Sequence, residues 1–169
     1  QHHGVRWSAD SGPRRRRIVR GRYKAEARSA AQAGTRADAT CQGDGVLAFG
    51  AGLSNPDDPD VSLTDFTGRK RLWIEVGQPE EKALQRAASQ SDGVWVYAFS
   101  SAAEVWWKGI EPKLHRQKKL HVVRIPHQAS QAMASMAERS MQLQATLQEG
   151  EMTLSSHLGS VHFQPLNWL

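Results

Sequence analysis

The sequence predicts an α/β domain, and three observations carry that prediction. Two short, almost wholly apolar runs, Val94 to Phe99 (VWVYAF) and Leu120 to Ile125 (LHVVRI), read as buried strands. Each is bracketed by stretches whose apolar residues recur at helical spacing. From Met141 onward the pattern changes to alternation, the mark of strands with one face exposed. The expected order is strands, then helix–strand–helix–strand–helix, then an antiparallel meander. No internal repeat is visible.

The chain has 169 residues, enough for one domain with a real core. Hydrophobic residues make up 39% and charged residues 23%, which fits a soluble globular domain. No apolar run approaches the roughly 20 residues that a membrane helix needs, so no membrane partner is expected. Cys41 is the only cysteine. No internal disulfide can form, and a reducing, cytoplasmic compartment is expected. The net charge of +5 is unevenly placed. Residues 1–46 hold ten basic against four acidic residues, and residues 47–169 hold twelve against thirteen. The larger part is therefore close to neutral and offers no broad basic face to nucleic acid.

Residues 1–46 are rich in Arg, Ala, Gly and Gln and show no sustained period. Arg14 to Arg17 are either a nucleic-acid arm, a localisation signal or part of a disordered charged segment. This stretch is expected to be aberrant or disordered. Its composition fits an out-of-frame reading of GC-rich DNA or another aberrant start, which would leave the domain at 47–169 without its first strands and helix. Leu47 to Leu53 is a short apolar run and an expected strand.

Next comes LSNPDDPDVSLTDFTGRKRLWIEVGQPEEK, Leu53 to Lys82. Thr67-Gly68 between two short runs signals a tight turn. A two-residue turn there pairs 66 with 69, 65 with 70, and 60 with 75. Asp60 and Glu75 then stand opposite each other on one face, with Cβ atoms roughly 5 Å apart. Opposed like charges destabilise a sheet, and a divalent cation is the usual remedy. Mg²⁺ takes one or two carboxylates plus waters and a substrate phosphate. A one-residue slip removes the site. The alternative is a turn-capping Asp60 and a strand-edge Glu75 paired with a surface lysine.

Gln78-Pro79-Glu80-Glu81 opens a helix, with Pro79 at the first helical position and the two acids at the positive end of its dipole. Ala83, Leu84, Ala87 and Ala88 are its expected buried stripe, and Asp92-Gly93 its stop. Ser101 and Glu104 form a capping-box pattern for the next helix. That helix carries Ala103, Trp106, Trp107, Ile110 and Leu114, and Pro112 should kink or split it. Pro126 ends the LHVVRI strand, and Ala129, Ala132, Met133 and Met136 mark a third helix. In the tail, Met141, Leu143, Ala145 and Leu147 alternate with polar residues. Glu149-Gly150 turns the chain, Met152 and Leu154 continue the alternation, and Val161 and Phe163 suggest a further strand.

The blocks LSNPDDPD, LWIEVGQPEEKAL, AAEVWWKGIEPKL and RSMQLQATLQEG, in this order, resemble the YaeQ family over roughly Leu47 to Leu169. That family's fold is similar to the PD-(D/E)XK, restriction-endonuclease-like nucleases: a mixed sheet flanked by helices, here with a C-terminal antiparallel extension. The resemblance implies that Pro59-Asp60 is the PD element and Glu75 the second acid. Gly77 stands where the motif carries lysine. The resemblance leaves the activity open. With Asp60 and Glu75 read as opposed carboxylates, the expected activity is that of a metal-dependent phosphodiesterase, with Mg²⁺ or Mn²⁺ as cofactor and nucleic acid as partner. A non-catalytic binding protein that keeps the fold is the alternative.

The candidate site residues are Asp60 and Glu75 as metal ligands, with Asp58 adding charge to the site or solvating the turn, and Asp57 the less favoured neighbour. Gln78 either orients water or a phosphate or caps the helix. Lys82, one turn into that helix, either stands in for the motif lysine or is a surface lysine, and Arg86 is a weaker substitute. Trp106 and Trp107 either stack on bases or pack in the core. His115, His121, His127, His157 and His162 show no metal-ligand spacing.

Overall fold

The computed structural model describes residues 4–10, 45–49, 58–136 and 140–169. Its elements are β1 (Gly4–Asp10), β2 (Gly45–Phe49), β3 (Val61–Asp65), β4 (Lys70–Val76), α1 (Glu81–Gln90), β5 (Ser91–Ala98), α2 (Ala103–Leu114), β6 (Leu120–Arg124), α3 (His127–Ser135), β7 (Ser140–Gln148), β8 (Glu151–Ser156), β9 (Gly159–Phe163) and β10 (Leu166–Asn167). They form a six-stranded sheet, β10-β6-β5-β4-β3-β2, and a four-stranded antiparallel sheet, β1-β7-β8-β9. In the larger sheet β4, β5 and β6 run parallel, and β2, β3 and β10 pair antiparallel.

The strand sequences explain the layering. Val94 and Val96 of β5 point to one face, where they pack with Trp73, Leu120, Val122, Leu84 and Ala87 of α1, and Trp107 and Leu114 of α2. Tyr97 points to the other face, with Ile74, Val76, Val123, Met133 of α3, and Leu143, Met152, Leu154 and Phe163 of the smaller sheet. The central strands are buried on both faces and so read as continuous apolar runs. The smaller sheet covers the core with one face only, so its strands alternate. The Tyr97 hydroxyl is buried without a hydrogen-bond partner among the described residues, and burial pushes its pKa up.

The β3–β4 turn differs from its expected form. Asp65 donates its N–H to the Arg69 carbonyl (2.9 Å), and Gly68 donates to the Asp65 carbonyl (3.0 Å). The loop thus has three residues, Phe66, Thr67 and Gly68, with Gly68 at φ +85°. A three-residue hairpin needs a left-handed residue at that place. The extra residue should slip the register, but a bulge at Arg71 slips it back. Thr64 pairs with Lys70, whereas Leu63 pairs with Leu72, Ser62 with Trp73 and Val61 with Ile74. Two shifts of one residue cancel, and the ladder reaches the Asp60 end in the phase the shorter turn would have given.

Four further expectations are corrected. Asp92-Gly93 does not stop α1; both residues lie in β5, and Asp92 pairs there with Arg69 (2.5 Å) and Arg71 (3.2 Å). The end of α1 is closed by Ser91 Oγ donating to the Ala87 carbonyl (2.8 Å) and Lys119 Nζ to the Ala88 carbonyl (3.1 Å). Pro79 precedes the helix, whose N-cap is Glu80. The capping pattern at Ser101 is not used. Ser100 Oγ accepts the Ala102 N–H (3.2 Å), and α2 has no side-chain cap. The α2 helix also runs through Pro112 to Leu114 without splitting. The ring removes one bond, to Lys108, and both residues are exposed near the last turn.

The segment 1–46 contributes β1 and the first residues of β2, where no strand was expected. The register Val5↔Ala145, Trp7↔Leu143 and Ala9↔Met141 places its apolar positions opposite those of β7. Positions 11–44 lie outside the described residues, as do Gly50 to Leu53 of the expected Leu47–Leu53 strand. No helix among the described residues is long and apolar enough to cross a membrane.

The turn also generates a pH dependence. The Asp65 carboxylate accepts from the Thr67 hydroxyl (2.6 Å) and from the N–H groups of Thr67 and Arg69 (2.9 Å each). These bonds, with the Thr67 hydroxyl foremost, hold its pKa below the ordinary carboxylate value. A depressed folded-state pKa stabilises the fold above the unfolded value, about 3.9, and that stability is lost as pH falls through the folded one. The melting-temperature gap between wild type and Asp65→Asn should hold constant from neutral pH to about 4 and shrink below it. A gap independent of pH would contradict this.

Candidate functional site

The site sits where β3 begins and β4 ends. Pro59 fixes its own φ and biases Asp58 towards extended backbone, and both Pro59 and Asp60 are buried. Asp60 is only 8% exposed, and its Oδ2 accepts the backbone N–H of Val76 at 2.9 Å. The ladder to β3 has ended at Val61↔Ile74, so the carboxylate takes the place of a strand carbonyl. A charge-assisted bond of this kind is roughly twice as strong as a neutral one, and it offsets part of the cost of burying the carboxylate.

Glu75 is the next residue outward on β4 after Ile74, half-buried on the α1 side of the sheet. Its Oε1 accepts the indole N–H of Trp73 at 2.7 Å. Trp73 is 2% exposed and packed among α1 and α2 residues, so a fixed ring orients the carboxylate. The alternation that places Trp73 and Glu75 on one face was legible; the indole's role as a positioning group was not.

Gly77 has φ +123°, in the region that favours glycine, and its N–H donates to the Tyr97 carbonyl at 2.9 Å. The space around it is open. What disfavours a lysine here is therefore the backbone, not crowding. Gln78 is exposed, and its amide donates to Ser100 Oγ at 2.7 Å, tying the loop before α1 to the loop before α2. Lys82 is exposed on the first turn of α1 and makes no hydrogen bond or ion pair to a described residue. Arg86, one turn on, is also exposed.

The remaining candidates separate. Asp58 is exposed, and Asp57 lies outside the described residues. Among the described residues no three His, Cys, Asp or Glu side chains form a metal-binding group, so Asp58 does not complete a triad with Asp60 and Glu75. Trp107 is the core tryptophan, at 5% exposure, which removes it from base stacking. Trp106 is half-buried, with its indole donating to the Pro79 carbonyl at 3.0 Å. Which of the two is buried follows from α2's rotation about its axis, which spacing alone does not fix.

The pair nonetheless suits a hard divalent cation. Two carboxylates come from adjacent strand ends, and each is oriented through one oxygen by an N–H donor. Oxygen ligands of this kind, completed by water, are what Mg²⁺ and Mn²⁺ take.

A family model described as YaeQ protein matches residues 35–165. The match begins twelve residues ahead of Leu47, where the resemblance was expected to start. An uncharacterized YaeQ protein of Salmonella typhi is 32% identical over 123 residues, 72% of this chain and 68% of that relative. The uncharacterized YaeQ protein of Escherichia coli (strain K12) is 30% identical over the same length and shares. The crystal structure of a YaeQ protein from Xanthomonas axonopodis pv. citri aligns with a TM-score of 0.73 at 32% identity, covering 91% of this chain and 79% of that one. A YaeQ protein from Pseudomonas syringae aligns at 0.69 and 25% identity, covering 73% and 68%.

Replacing Asp60 separates its structural from its electrostatic role. Asp60→Ala leaves the Val76 N–H unpaired, at a cost of about 1–3 kcal/mol. Asp60→Asn keeps an acceptor and should cost clearly less. Urea unfolding of both variants checks the ordering. Equal losses would show that the Val76 bond does not hold the strand end.

Proposed function

The chain belongs to the YaeQ family, and on that premise we propose that it is a metal-dependent phosphodiesterase acting on nucleic acid, similar in its core to the PD-(D/E)XK nucleases. The observation that carries the reading is the pair itself. Asp60 and Glu75 lie at the ends of adjacent strands, each oriented by an N–H donor that its neighbours hold in place. A bound Mg²⁺ or Mn²⁺ would add positive charge at a phosphoryl oxygen and acidify water.

The chain's own groups supply the rest. Asp60 and Glu75 would hold the cation. Gln78 offers an amide beside them in sequence, at the mouth of the two helix-entry loops. Lys82, on the first turn of α1, is the cation that stands in for the motif lysine and stabilises charge on the phosphate. Residues 47–169 carry one more acid than base, so affinity for a polyanion rests on the bound cation rather than on a basic face.

Two observations favour a second reading, a non-catalytic binding protein that keeps the fold but lacks the motif lysine. Gly77's φ of +123° disfavours lysine at the motif position, and Lys82 is exposed with no contact tying it to the carboxylates.

Melting curves with and without Mn²⁺ test the site. A cation bound only to the folded state stabilises it by about 2.7 kcal/mol at a hundredfold excess over its dissociation constant. Wild type should show that rise. Glu75→Gln should lose it while keeping its metal-free stability, because the amide oxygen still accepts the Trp73 N–H. A wild type indifferent to Mn²⁺ would sink the metal site and leave the non-catalytic binding protein as the reading. Cleavage of single- and double-stranded DNA and RNA with Mn²⁺, in wild type and Lys82→Ala, then divides them. Cation binding without cleavage selects the non-catalytic reading.

A further inference from the structure

The four-stranded sheet ends in β9, and among the described residues no strand pairs with its outer side. The two-residue loop His157-Leu158 closes the β8–β9 hairpin on Ser156↔Gly159. The closing pair of such a hairpin is hydrogen-bonded, and bonded pairs recur at every second residue. Val161 and Phe163 therefore bond inward to Leu154 and Met152. The N–H and C=O groups of Ser160 and His162 then point away from β8, along an edge that no described strand pairs with.

Edge strands are normally blunted by lysine, proline or a bulge. β9 has none of these. The whole segment from Ser155 to Leu169 contains no Lys, Arg, Asp or Glu. Two exposed leucines flank the strand, Leu158 at 51% and Leu166 at 46%.

We infer that β9 is a homodimer edge, at which a second copy of this chain adds its own β9 antiparallel about a twofold axis through Val161. The phase of the outward groups fits this arrangement. Ser160 faces His162 of the partner subunit, and the two symmetric pairs exchange four backbone hydrogen bonds. Val161 meets the partner's Val161 as the non-bonded pair on the axis. Each exposed Leu158 is brought beside the segment that carries the partner's Leu166. The edge strand carries no Lys, Arg, Asp or Glu, and the carboxylate beside it, Glu151, is paired with His162 (2.9 Å). This favours a copy of the same chain: across a twofold axis like meets like, so an edge with unpaired charge would repel itself. The product is a continuous eight-stranded sheet.

Sedimentation velocity of the full 169-residue chain over a concentration series tests this. Wild type should dimerise. Ser160→Lys sets two like charges close to the axis and should sediment as a monomer, with a melting curve that shows the fold intact. A second variant keeps the test decisive if that one does not fold. Val161→Cys, in a chain also carrying Cys41→Ser, places two thiols at a non-bonded antiparallel pair, where Cα atoms lie about 4.5 Å apart. Mild oxidation should convert it to a disulfide-linked dimer, and Gln142→Cys in the same background should not cross-link. A wild type that is monomeric at every concentration, a dimer that survives Ser160→Lys, or equal cross-linking of the two cysteine variants overturns the proposal.

Discussion

The hydrogen bond from the Val76 N–H to the Asp60 carboxylate is the constraint on which this end of the molecule depends. It joins residues sixteen apart in sequence and extends the β3–β4 ladder past its last backbone pair. Without it, the Val76 N–H would be left unpaired at a buried strand end. With it, β4 is held up to the point where Gly77 swings into its left-handed conformation and bonds to β5. Glu75 sits between those two fixed points, and Trp73 fixes its side chain in turn. A carboxylate pair in this setting is preorganised by the same bonds that finish the sheet.

Much of this was legible in the sequence. The buried strands announce themselves as apolar runs because helices cover one face and a second sheet the other. The meander announces itself by alternation because only one face is covered. The phase at Asp60 was also legible, though for a reason that did not hold: a three-residue loop and a bulge at Arg71 cancel, and turn residues alone do not reveal either. The strand at Gly4–Asp10 carried a signal, Val5, Trp7 and Ala9 alternating with Arg6, Ser8 and Asp10, but seven residues of it were obscured by the surrounding Arg- and Ala-rich composition.

What sequence could not supply was tertiary. The α1 helix ends on a Ser91 hydroxyl and a Lys119 amine rather than on a glycine, and Lys119 arrives from the start of β6, 31 residues beyond Ala88. Pro112 reads as a helix breaker unless it is known to lie on an exposed face of the last turns. The choice between Trp106 and Trp107 depends on a helix rotation that spacing leaves free. The Trp73 indole and the Ser100 hydroxyl escaped notice for the same reason: each acts on a neighbour's side chain, and no residue pattern records such a contact.

A cation held between the two carboxylates is tested without reference to activity by a crystal soaked in Mn²⁺. Anomalous difference density should show one peak about 2 Å from carboxylate oxygens of both Asp60 and Glu75, with the Val76 N–H still bonded to Asp60. Density only elsewhere on the surface, or a soaked crystal with no peak between Asp60 and Glu75, would contradict a cation held by this pair.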